Sequence, residues 1–124
     1  IAKGHISSSI NVETEDFVIY DNESWEELYE TLTPYSGQTI DFEETEIDFD
    51  AYQILASFDE VRPYPGWVID IESVIEKTNQ IDVLVKVYQD YIGLTPWSTR
   101  QIHIVKIPKS DKPVVFERIY PEGS

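Results

Sequence analysis

The chain has no cysteine and no methionine, and only two histidines, His5 and His103. Without cysteine it can hold no disulfide staple, thiolate nucleophile or cysteine-ligated zinc. A serine hydrolase would need one of the histidines beside a nucleophile, and no Gly-x-Ser-x-Gly elbow occurs. His103 sits among Ile102, Ile104 and Val105 and reads as a packed structural residue, while His5 lies near the start of the chain. No catalytic residue, metal ligand or cofactor is therefore assigned. No run approaches the ~18 apolar residues of a membrane-spanning helix. The chain opens on Ile1 rather than Met. The expectation is a mature fragment whose signal sequence, and a lipid-anchoring cysteine with it, lie upstream.

Basic residues are also scarce where acidic ones are dense. Residues 1–60 contain 16 Asp and Glu against Lys3 alone, which accounts for the whole net charge of −15. Residues 61–124 carry eight acidic and eight basic side chains. Such a surface repels phosphate backbones and anionic lipid, which argues against nucleic-acid binding and favours a basic partner or plain solvation. The densest acidic stretch, 41–50, lacks the Asp-x-Asp spacing and central Gly of an EF-hand, so no calcium site is assigned to it. Paired carboxylates alone do not make a glycosidase, and 124 residues leave little room for a sugar cleft.

What is present is the composition of one folded domain spanning 1–124, 41% hydrophobic and 13% aromatic. Trp25, Leu28, Tyr29 and Leu32 recur at i, i+3, i+4 and i+7. They predict one amphipathic helix, capped by Ser24 with Glu27 and ended near Thr33 by Pro34 and Gly37. A short strand over 5–10 and a lead-in over 17–20 precede it. Alternation predicts strands at 67–75, with Trp67, Ile69, Ile71 and Ile75 on one face, and at 81–88, paired as a hairpin through Thr78-Asn79-Gln80. Two more follow at 102–107 and 114–119, separated by a connection with Pro108 and Pro113 at its ends. In 47–58 the apolar positions change phase near Ala51 and Tyr52, which predicts a bulge or a strand that changes sheet face. The expected fold is α+β and mainly antiparallel β. It has five to six strands in a sandwich or half-barrel, with one N-terminal helix packed on the sheet.

Between the strands lies Arg62-Pro63-Tyr64-Pro65-Gly66-Trp67. Two prolines fix φ, and Gly66 permits a turn with φ > 0, so this loop should hold one shape and display its aromatics. A second turn, Gly93-Leu94-Thr95-Pro96-Trp97-Ser98, offers another. Trp67 opens a strand on its apolar face and reads as buried, whereas Tyr64 and Trp97 read as exposed. The candidate partner-binding residues are thus Arg62, Pro63, Tyr64, Pro65, Gly66, Trp67, Pro96 and Trp97. If both loops lie at one end of the sheet, they form a single binding edge.

The order of these pieces resembles the C-terminal domain family of the bacterial protease complex subunit PrcB. The matching parts are Ile40-Asp41-Phe42 or Ile47-Asp48-Phe49, the run 52–58, the Arg62–Trp67 turn and Ile69-Asp70-Ile71. The strand 81–88, Pro96, the segment ending Ile107-Pro108-Lys109 and Pro113-Val114-Val115-Phe116 also fit, so about residues 40–117 are covered and 1–39 form an N-terminal addition. At the turn, Tyr64-Pro65-Gly66-Trp67 stands where the family has Thr-Gly-Gly-Tyr. The resemblance implies a non-catalytic interaction or stability domain of a secreted or envelope-anchored bacterial protein. Its partner would be a protein such as a secreted protease, and its location extracytoplasmic. Two alternatives remain open: a loop-based protease inhibitor, though the Asn-Pro-Thr-Thr-Gly-Tyr signature of chagasin-like inhibitors is missing, and a carbohydrate-binding module stacking sugars on Tyr64, Trp67 and Trp97.

Overall fold

Asp21 rather than Ser24 starts the helix. Its backbone is extended, and its carboxylate accepts the Ser24 N–H at 2.8 Å, so α1 runs Asn22–Leu32. That backbone hydrogen bond holds the Asp21 carboxyl below the usual carboxylate range. Thr33 closes the other end, its N–H and hydroxyl both donating to the Tyr29 carbonyl, and a single 3-10 turn follows over Thr33–Tyr35. The apolar stripe is as expected: Trp25 and Leu32 are buried, and Leu28 and Tyr29 pack beside them.

The computed structural model describes residues 2–7, 15–35, 40–62, 67–89 and 99–120. Within these the α+β, mainly β class holds, with eight strands rather than five or six. Strands β1 (Ala2–Ser7), β2 (Glu15–Ile19), β3 (Ile40–Phe42), β4 (Tyr52–Arg62) and β7 (Thr99–Pro108) form one antiparallel sheet in the order β2-β4-β7-β1-β3. Strands β5 (Trp67–Glu76), β6 (Ile81–Gln89) and β8 (Val114–Ile119) form a second sheet, β5-β6-β8. The predicted β5–β6 hairpin is present, closed by Lys77 N–H donating to the Gln80 carbonyl. By contrast, β8 lies parallel to β6, so the connection after Pro108 carries the chain from one sheet to the other. No helix among the described residues is long and apolar enough to cross a membrane.

These elements stack as three layers. The helix covers one face of the five-stranded sheet through Trp25, Leu32, Ile54, Ala56, Phe58, Ile102 and Ile104. The three-stranded sheet covers the other through Leu55, Ile69, Val83, Val85, Val87 and Ile107. Strand β4 is therefore buried on both faces, and every residue from Gln53 to Asp59 is buried.

This explains the phase change read near Ala51, which is neither a bulge nor a strand crossing. Residues 48–51 form a turn in which the Asp48 carbonyl accepts from Ala51 and Tyr52. Ile47 and Phe49 reach the helix-side core from outside the strand. True register shifts occur further on, between Phe58 and Val61 and between Ile71 and Ser73. The second places Val74 opposite the buried Val83 and turns Ile75 to solvent, off the face expected for it.

Trp25 seats the helix on the larger sheet. It is 2% exposed, its indole N–H donates to the Thr45 carbonyl at 2.9 Å, and its ring meets Phe42 edge-on. Trp25→Ala should cost about 3–5 kcal/mol of unfolding free energy in urea titration, as expected for emptying a large aromatic site. A loss below about 1 kcal/mol would show that the helix is not seated as described.

Candidate interaction site at one end of the sandwich

The register pairs bring the ends of four strands together. Arg62, the last residue of β4, lies opposite Thr99, the first of β7. Trp67, the first of β5, lies opposite Gln89, the last of β6. The connections 63–66 and 90–98 therefore begin and end on the same end of the sandwich, and each passes from one sheet to the other. Ser7 at the end of β1 also pairs with Thr99 there. Of the eight candidate residues, Arg62 and Trp67 are these strand anchors, while Pro63, Tyr64, Pro65, Gly66, Pro96 and Trp97 lie outside the described residues. Trp67 is half-buried and packs against the inter-sheet core, as its position on an apolar face suggested.

Beneath these anchors the structure places a polar network that has no local signature in the sequence. Arg118 on β8 reaches across to β2, its Nε and Nη2 donating to the two Asp16 carboxylate oxygens at 3.0 and 2.8 Å. Nη2 also donates to the Phe58 carbonyl at 2.7 Å, and Nη1 lies 3.9 Å from the Asp59 carboxylate. The Arg118 side chain is 10% exposed and that of Asp59 is inaccessible. Arg100, on the helix side of the same strands, donates Nε to the Asp59 carbonyl at 2.7 Å and lies over the Phe58 ring.

The two guanidinium groups are tuned in opposite directions. Burial pushes Arg100 down, with Glu15 only 3.9 Å away as its partial counterweight. Burial also opposes the charge on Arg118, but the hydrogen bond and charge of Asp16 outweigh it and hold Arg118 up. Charged groups taken out of water cost several kcal/mol each unless they are paired this closely. Four strands are thus tied at the level from which the loops depart.

One row across the five-stranded sheet contains the residue types of a hydrolase triad. Asp16, Ser57 and His103 are lateral neighbours on β2, β4 and β7, all facing the second sheet. Their order and wiring differ from a triad. Ser57 stands in the middle, inaccessible, and its hydroxyl makes no hydrogen bond. The Asp16 carboxylate is engaged by Arg118. His103 uses Nδ1 to accept the Ile71 N–H at 2.7 Å, beside the bulge in β5, so this imidazole ties the two sheets. Among the described residues, no group of three or more His, Asp or Glu side chains is placed to hold a metal ion. In the acidic stretch, Glu44 pairs with Lys106 and Asp48 accepts the Asp50 N–H, both structural uses.

No family model matches the chain, and no curated protein or solved structure is significantly similar to it. If the row is structural, Ser57→Ala should leave the unfolding free energy unchanged or raise it, because the hydroxyl is buried without a partner. His103→Leu should lower it by about 1–3 kcal/mol by stranding the Ile71 N–H. The reverse order of effects in denaturant titrations would contradict this assignment.

Proposed function

We propose that the chain is a non-catalytic interaction domain that presents the connections 63–66 and 90–98 as one edge to a protein partner. The observation that carries this reading is the convergence of Arg62, Trp67, Gln89 and Thr99 on one end of the sandwich. The buried Arg118–Asp16 network holds that end in place from below. A loop-bearing edge on rigid strands suits recognition, because anchors that do not move reduce the ordering cost of binding. The partner fits a secreted or envelope-anchored bacterial assembly, for which the PrcB-like residue pattern of 40–117 is the support. The −15 charge weighs against nucleic acid as that partner.

The same adjacency supports a second reading, a protease inhibitor that inserts both loops into an active-site cleft, with the exposed Glu15 and Glu60 near their base. The carbohydrate-module reading is weakened, since Trp67 packs into the core rather than offering a free ring face.

The test is co-purification from the native cell envelope with wild type and a Tyr64→Ala/Trp97→Ala double variant. Aromatic hot-spot residues cost about 2 kcal/mol or more each on truncation, so on this proposal the variant should lose partner affinity by at least about thirtyfold while its unfolding midpoint is unchanged. Recovery of the same partner by both proteins, or of none by either, would contradict the proposal.

A further inference from the structure

The tie between the sheets at the β5 bulge is made by a group that titrates near neutrality. His103 Nδ1 accepts the Ile71 N–H at 2.7 Å, just before the register of β5 shifts between Ile71 and Ser73. A ring nitrogen that accepts carries no proton, so the imidazole is neutral with its one N–H at Nε2. A second proton would enter at Nδ1 and set two N–H donors against each other. The hydrogen bond is lost in that step, and the Ile71 N–H is left facing a cation. The other tie between the sheets, made by Arg118 and Asp16, contains no imidazole.

The surroundings of the ring do not favour an imidazolium. His103 is half-buried on the side of β7 that meets the smaller sheet, between the buried Gln101 and Val105. On β4 its lateral neighbour is Ser57, whose hydroxyl is uncharged and makes no hydrogen bond. Beyond Ser57, Asp16 on β2 is held by Arg118 of β8. Asp59 of β4 lies 3.9 Å from the same guanidinium and also feels the charge of Arg100. Two carboxylates are thus answered by two guanidinium groups, with no net negative charge left over for the ring. On the opposite side the register partner of His103 on β1 is Lys3, a further positive charge. From the smaller sheet, β6 presents Val83, Val85 and Val87. On β5, Asp70 accepts from the Tyr88 hydroxyl, and Glu72 at the bulge is exposed.

We infer that His103 is a proton-operated switch in the fold: acidification breaks its bond to Ile71 and releases the bulge of β5 from the larger sheet. The sign follows from which state takes up the proton. Only the released state does so readily, so the tie is at full strength above the ordinary histidine range, about pH 6.5, and weakens as pH falls below it. Raising the pH further adds nothing. Trp67 opens the same strand opposite Gln89, so release of β5 also loosens an anchor of the loop edge. That consequence rests on the interaction reading given above. The switch itself does not, and its test uses the chain alone.

NMR on the isotope-labelled 124-residue chain between pH 7.5 and 5 tests the inference. At pH 7.5 the ring nitrogens of His103 should show the proton on Nε2. The ring should titrate at least about one pH unit below a short histidine peptide in the same buffer. Over that range the protection factor of the Ile71 amide should fall at least about fivefold, the drop that a one-unit difference produces. His103→Asn places a non-titrating acceptor, Oδ1, where Nδ1 stood, and its Ile71 protection should change by less than about twofold. Three wild-type results would overturn the inference: a proton on Nδ1 at pH 7.5, titration at or above the peptide's value, or Ile71 protection that does not fall. An equal fall in His103→Asn would overturn it as well. Should that variant fail to fold, the wild-type titration decides alone.

Discussion

The contact between Arg118 and Asp16 is the constraint on which the arrangement of the two sheets depends. Apolar packing is non-directional, and the β-branched side chains between the sheets would tolerate some sliding of one over the other. A guanidinium held by both oxygens of one carboxylate, and by the Phe58 carbonyl as well, does not. It fixes β8 over β2 and β4 at one end, while His103 and the Ile71 N–H fix β5 over β7. Once those positions are set, Asp59 can be buried beside a positive charge rather than alone.

The proposed function rests on where this tie sits. It lies at the end where two sheet-to-sheet connections depart, so the strand ends bearing them are held by directional bonds as well as by the core. The opposite end carries the 77–80 hairpin and the connection from Pro108 to β8, with Lys112 bonded to the Lys77 carbonyl. The charge is divided by layer. Helix α1 and residues 43–50 place most of the exposed carboxylates on one side of the molecule, whereas the smaller sheet belongs to the electrically balanced half of the chain. On the proposed reading, a partner at the loop edge would approach beside this strongly negative face, which would favour a basic one.

Much of the fold was legible because its periodicities are local. The Trp25–Leu32 stripe marked the helix at the 3.6-residue period, and alternation over 81–88 marked β6. The helix start moved three residues because Asp21 and Ser24 both suit a cap, and in the structure the first accepts from the second. Strand β4 hid its alternation because helix and second sheet bury both its faces. Ile75 was misplaced because the bulge at Ser73 shifts the phase, and no residue type there announces a bulge.

The candidate site was legible only as loops with aromatic and proline residues. Their convergence comes from pairing between β4 and β7, and between β5 and β6, which no single segment encodes. The ion pair beneath them joins residues 102 positions apart, so nothing near Arg118 in the chain points to Asp16.

A double-mutant cycle on Arg118→Ala and Asp16→Ala, read by urea unfolding, addresses this tie directly. Buried, well-aligned partners couple strongly, and the account predicts an interaction energy of about 2 kcal/mol or more between the two substitutions. A coupling below about 0.5 kcal/mol would mean that the sheets keep their register without this contact, and the account would be wrong at its base.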